Sequence, residues 1–149
     1  MSGLYFEEFS VGQKVVTVGR TLSEGSIFDF AGLTGDYNQI HTDAEFARAT
    51  PFGQRIAHGL LGLSIGIGLL MRTGVLEGTV LAFREINEWK FVKPIFIGDT
   101  LHAQLEVTDL KALPRLGVGS VTALVQVLNQ SGEVCQKGSL NLLVMSKAA

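Results

Sequence analysis

The sequence predicts an α+β fold in which about five antiparallel strands pack against one long buried helix. Three observations carry that expectation. From Ala57 to about Arg72, "AHGLLGLSIGIGLLMR" is apolar around the whole helical circumference, as a helix enclosed on all sides would be. After Gly78 come four strand-like runs, "TVLAFREINEWKFVKP", "DTLHAQLEVTDLK", "GVGSVTALVQVLNQ" and "GEVCQKGSLNLLVMS", joined by connections short enough to make antiparallel neighbours. Within the second run Leu101, Ala103, Leu105 and Val107 alternate with His102, Gln104, Glu106 and Thr108, so one face of the sheet is covered and the other is wetter.

The remaining elements follow in chain order. "GQKVVTVGRT" is β-branched and flanked by glycine, which predicts a strand from Lys14 to Arg20. A helix follows, capped by Thr21 or Ser23, burying Ile27, Phe30 and Ala31 and closed by Gly35. "DYNQIH" is then a connection. Thr42 and Glu45 form a capping-box pattern for a second short helix, which Pro51 ends. "PFGQR" reads as a loop before the long helix. Gly59, Gly62, Gly66 and Gly68 each cost that helix about 1 kcal/mol relative to alanine, which close approach by neighbouring strands would justify.

Bulk properties narrow the function. The chain has 149 residues, 46% of them hydrophobic, enough for one domain over 1–149 with its own core. With 12 basic and 14 acidic residues and no basic stripe, neither a nucleic acid nor an anionic membrane is an expected partner. The run from Gly59 to Met71 is shorter than the roughly 20 residues of a membrane span. A single cysteine, Cys135, and an N-terminus with acidic residues where a signal peptide would carry basic ones make the cytoplasm the expected compartment.

The chemistry concentrates in "LTGDYNQIH". Asp36, Asn38 and His41 are spaced too irregularly to share a helix or strand face, so a curled loop must bring them together. An ionised carboxylate and a neutral imidazole touching one water form an acid/base pair, and partial burial would raise the aspartate toward useful base strength. Read blandly, Asp36 and Asn38 are turn formers after Gly35 and His41 is an interior histidine with its hydrogen bonds made. The second polar anomaly is "AHGLLG". His58 and Gly59 open the long helix, where a glycine amide without an intrahelical acceptor can bind a developing oxyanion. Acid, base and oxyanion donor together make the kit for chemistry beside a thioester or ketone carbonyl.

Other motifs fit less well. "GLSIG" matches a nucleophile elbow, but Ser64 lies inside a helical run without the strand the elbow needs. Asp36, His41 and Asp43 lack metal-ligand spacing, so no metal is expected. Gly117 and Gly119 lack the rest of a dinucleotide fingerprint, and no cofactor is expected.

"FAGLTGDYNQIHTDAEFA", "PFGQRIAHGLL" and "FVKPIFIGDTL", in that order, resemble the MaoC-like (R)-specific enoyl-CoA hydratases and acyl dehydratases of the hotdog fold, whose signature runs G-D-x-N-P-[LIV]-H with a following H-G pair. The resemblance implies a hydro-lyase that adds water reversibly, in syn fashion, to a trans-2-enoyl-CoA of fatty acid metabolism. It makes Asp36 and His41 the catalytic pair, Gly59 the donor to the thioester oxygen and Asn38 a support for the loop. It leaves His58 and Ser64 as pocket residues, and implies a homodimer or an assembly of dimers. Gln39 departs from the family's usual proline and leaves the loop less rigid. A hotdog acyl-CoA thioesterase or a non-catalytic acyl-CoA binding module are the alternatives.

Overall fold

A computed structural model of the chain describes residues 3–147. In place of one strand from Lys14 to Arg20 there are two short ones, Lys14–Val16 (β1) and Arg20–Thr21 (β2). Thr17 between them explains the break. Its N–H donates to the Ala103 carbonyl (3.0 Å), but its hydroxyl rather than its carbonyl accepts from the Ala103 N–H (2.9 Å), so a side chain replaces one backbone rung.

Helix α1, Glu24–Thr34, is capped by Ser23, not Thr21: the Ser26 amide donates to the Ser23 hydroxyl at 3.2 Å. It buries Ile27 and Ala31, and ends on Gly35 at φ 77°, a conformation glycine adopts without strain. The predicted connection contains a one-turn helix, Gln39–Thr42 (α2), and the next helix is Ala44–Arg48 (α3). Asp43 caps α3, accepting from the Phe46 amide at 2.9 Å. The predicted Thr42–Glu45 box does not form, because the Thr42 hydroxyl donates backward to Tyr37 and Asn38 and Glu45 pairs with Arg48.

The long helix α4, Gly59–Met71, lies on a sheet formed with Val80–Phe91 (β3), Thr100–Leu113 (β4), Val118–Leu128 (β5) and Val134–Met145 (β6). The strand order is β1-β4-β5-β6-β3, with β2 also on β4, making six strands where about five were expected. All pairings are antiparallel. One neighbour differs from expectation: β3 pairs with β6 and not with β4. The connection between β3 and β4 instead binds Cys135 through the Val92 and Lys93 amides, Ala57 through the Ile95 carbonyl and Leu22 through the Gly98 amide. It thereby crosses in front of the start of α4, which is why a short loop joins two strands that are not neighbours.

The inward phase of β4, Leu101, Ala103, Leu105 and Val107, is buried as predicted and packs with α4 and with the inward residues of β5 and β6. Three helix glycines answer a close approach, Gly59 to the Phe91 ring and two further along the helix. A Cβ on Gly66 would stand 2.7 Å from Val127 Cγ2, and one on Gly62 would collide with the Gln136 amide. Gly68 meets nothing, so the close-approach reading does not extend to it. Nor is α4 enclosed on all sides: Leu60 is 59% exposed, and Ser64 and Gly68 share that open face because sheet and α1 cover only the rest of the circumference. Among the described residues, no helix is long and apolar enough to cross a membrane.

Candidate active site

The loop after α1 builds itself from neighbouring residues. Asp36 Oδ1 accepts from the Asn38 amide (3.2 Å), and Asn38 Oδ1 accepts from the Ile40 amide (3.1 Å), which caps α2. These bonds to backbone two residues on are what Asp and Asn make in tight turns. Gln39 occupies the first position of α2, where an N–H has no intrahelical acceptor, so proline and glutamine both fit there. The outcome of the curl is that His41, on α2, turns its ring toward the segment that leads into α4.

His41 Nδ1 lies 2.7 Å from the Ile56 carbonyl. A carbonyl only accepts, so Nδ1 carries the hydrogen and Nε2 keeps its lone pair. Half burial holds the imidazole below its ordinary value near 6.5; the nearby His58 ring pushes the same way, and the bond to Ile56 and the charge of Asp36 oppose it. His41 is therefore a neutral base at pH 7, with one nitrogen committed and one free.

His58 is 2% exposed and occupies the N-cap position of α4 without capping it through its side chain. Its ring turns the other way. Nε2 donates to the Asp36 carbonyl at 2.9 Å, while the ring stacks on His41 with centroids 3.9 Å apart at 27° and meets Phe30 at 4.9 Å. It bonds to the backbone of one partner of the predicted pair and packs on the ring of the other. Its Nδ1 is buried without a hydrogen-bond partner.

Asp36, His41 and His58 each bring one oxygen or nitrogen within 4.8 Å of the others. That spacing invites a cation, but an ion bound by both rings must lie in both ring planes. Two nearly parallel stacked planes meet far outside bonding distance, so a shared ion would require a ring to leave its carbonyl. Asp36 itself is exposed, so the partial burial expected for it is not found in the single chain: its loop runs over the surface.

Gly59 opens α4. The His58 carbonyl accepts from Leu61 and Gly62 (3.1 and 3.3 Å), and the Gly59 N–H, in the first position, has no intrahelical acceptor. Gly59 and His41 line one pocket of about 380 Å³ together with Phe52, Phe91, Lys93, Ile95 and Gln136. Ser64 lines a different cavity, of about 270 Å³, with Arg20, Asp29 and Phe30, and its hydroxyl donates to the Leu60 carbonyl of its own helix at 2.8 Å. The structure thus gathers Asp36, His41 and His58, joins His41 to Gly59 through a pocket, uses Asn38 in the loop backbone and sets Ser64 apart.

Comparisons with known proteins identify the family. The family model of the MaoC like domain matches residues 7–129. The chain belongs to the MaoC-like dehydratase family. It is 31% identical to an (R)-specific enoyl-CoA hydratase of Rhodospirillum rubrum, over 96% of this chain and 93% of that protein. It is 37% identical to Protein MaoC of Klebsiella aerogenes over 68% of this chain, and that match spans only 30% of the longer Klebsiella protein. Among solved structures, one described as a monoamine oxidase regulatory protein from Archaeoglobus fulgius superposes with a TM-score of 0.92 at 36% identity, covering 99% of this chain and 98% of that one. A Mycobacterium tuberculosis protein with a double hotdog fold superposes at 0.82 and 22% identity, over 97% of this chain and 45% of that one, and shares the fold. The architecture of this MaoC-like chain is the hotdog fold.

Sequence reasoning missed Gln136 and Phe91. The signal for Gln136 was present: it stands in phase with Gly138, Leu140, Leu142 and Val144, the inward residues of β6, so a polar amide occupies a core position. Phe91, at the end of an exposed strand, carried no such mark.

Proposed function

We propose that this MaoC-like protein is an (R)-specific enoyl-CoA hydratase, catalysing the reversible syn addition of water to a trans-2-enoyl-CoA. The observation that carries the reading is the fixed tautomer of His41, whose free Nε2 belongs to a neutral ring beside the Asp36 carboxylate, with Gly59 lining the same pocket as His41. A water held between Asp36 and His41 gives a proton to the pair as its oxygen adds to C3 of the enoyl group. The charge that develops on the thioester oxygen is met by the Gly59 N–H. The pair then returns the proton to C2 on the same face, leaving the enzyme as it began and the product as the (R)-3-hydroxyacyl-CoA. Names of relatives such as the hydratase of Rhodospirillum rubrum support the same substrate class.

We also infer that the working form is at least a homodimer. β3 is an edge strand of 12 residues that leaves Leu81, Phe83, Ile86 and Phe91 between 42% and 58% exposed, an apolar edge that a second copy would cover. Sedimentation at micromolar concentration checks this, and a fully active monomer would refute it. For the reaction, enoyl absorbance is followed beside free thiol across a chain-length series of 2-enoyl-CoA thioesters. Loss of enoyl absorbance without thiol is the expected result. Thiol released from these thioesters would identify a thioesterase, and silence in both channels would identify a binding module.

A further inference from the structure

The start of α4 is held by a polar contact from far away in the chain. Gln136 Nε2 donates to the Gly59 carbonyl at 2.9 Å, and Gln136 Oε1 accepts from the Trp89 indole N–H at 3.2 Å. Both ends are fixed by chemistry. A carbonyl can only accept and an indole N–H can only donate, so the amide of Gln136 has a single orientation. Gln136 is 2% exposed, and both of its polar atoms are used, as a buried amide requires.

Three backbone features make room for this contact. Between the pairs Asn87↔Ser139 and Lys90↔Lys137, β3 carries two residues, Glu88 and Trp89, opposite the single Gly138. Glu88 there has φ 50°, the one non-glycine residue with positive φ among the described residues, and the bulge it makes turns Trp89 inward. A Cβ on Gly138 would stand 2.7 Å from Trp89 Cε3 and 2.9 Å from Trp89 Cα, so only glycine leaves the indole its place. Gly62, one turn into α4, does the same for Gln136, whose amide occupies the space of its missing Cβ. A strained residue and two glycines thus converge on one hydrogen bond to the first carbonyl of α4.

We propose that Gln136 and Trp89 are positioning residues that fix the direction of the Gly59 N–H. This rests on the reading of Gly59 as oxyanion donor. A glycine at the first position of a helix has no side chain to anchor it and the widest choice of φ and ψ. The bond from Gln136 to its carbonyl removes that freedom on one side, and the turn made by the His58 carbonyl with Leu61 and Gly62 removes it on the other. An oxyanion donor works only if its direction is set before charge develops, so the relay acts on turnover rather than on substrate affinity.

The test uses the 149-residue chain and a concentration series, up to saturation, of an enoyl-CoA that the wild type hydrates. Gln136→Met keeps the volume and removes the donor; kcat is expected to fall about 10²-fold with KM within about twofold, and Trp89→Phe to fall less. Gln136→Glu supplies the rescue. As a buried carboxylic acid it donates to the Gly59 carbonyl and still accepts from Trp89, whereas as a carboxylate it cannot donate. Its kcat relative to wild type is therefore expected to rise as pH falls. A ratio flat with pH, or a fall in Gln136→Met fully accounted for by its loss of folded protein, would overturn the proposal. The amide order of Gly59 measured by NMR separates it from the hydratase reading. If wild type hydrates no enoyl-CoA, that reading falls by itself, and the relay is then overturned if Gly59 is as ordered in Gln136→Met as in wild type.

Discussion

The Asp36–His41 loop and the His58–Gly59 start of α4 face each other across the candidate site, yet they are held in opposite ways. The loop is exposed and shaped by bonds two residues long, Asn38 to Asp36 and Ile40 to Asn38. The helix start is buried at His58 and shaped by partners 22 residues away at Asp36 and 77 residues away at Gln136. The loop carries the Asp36 carboxylate and the His41 imidazole, while the helix start carries a glycine whose carbonyl is bonded from a distant strand. Mutations in the loop should therefore act on chemistry with little effect on stability, and those at the helix start should also lower stability where they crowd its packing.

The largest effect is expected in the loop. Asp36→Asn and His41→Gln should each lower turnover about 10²–10⁴-fold, the usual contribution of an acid or base group, with the double variant little worse than either single one. Stopped assays with thermal melts check this. Both singles within about threefold of wild type while folded would make these residues simple turn formers.

Gly59→Ala probes the other side. Its Cβ would stand 2.7 Å from Phe91 Cε1, so the helix start lacks the room a larger residue such as valine would need. Turnover should fall about 10²-fold through a displaced donor. Adding Phe91→Ala should recover stability while turnover stays low. Full recovery of turnover would mean that Gly59 only makes space for the ring.

His58→Phe sharpens the contrast, since it keeps a ring against His41 and Phe30 but gives up the bond to Asp36. The buried Nδ1 without a partner disappears with it. Stability is expected to stay within about 1 kcal/mol, because the lost bond and the relieved polar atom oppose each other. Turnover should drop about tenfold as the loop loses its tie. A protein with lower stability and unchanged turnover would make His58 a core residue.

The smallest effect concerns pH. Because burial holds His41 below 6.5, the unfolded chain binds its proton first as pH falls. The stability contributed by the neutral ring is complete above about 6.5 and is lost as pH drops through the lower folded value. Urea melts at pH 7.5 and 5.5 should show a steeper loss in wild type than in His41→Gln. Equal losses would show that the ring titrates alike in both states.

Residue types reveal what nearest neighbours decide. Ser23, Gly35, Asp36 and Asn38 act on backbone within four residues, so the end of α1 and the curl of the loop were readable from residue types, with only the choice between Thr21 and Ser23 open. The buried phase of β4 was equally plain, since alternation on one strand needs no partner to be seen. Tertiary structure decided the rest. Which strand lies beside β3, which histidine nitrogen keeps its lone pair, and what holds Gly59 depend on groups at Ser139, Ile56 and Gln136 that meet only when the sheet closes on α4. A sequence records the chemistry of each group and its near neighbours, but the direction of a hydrogen bond between distant segments is fixed by packing.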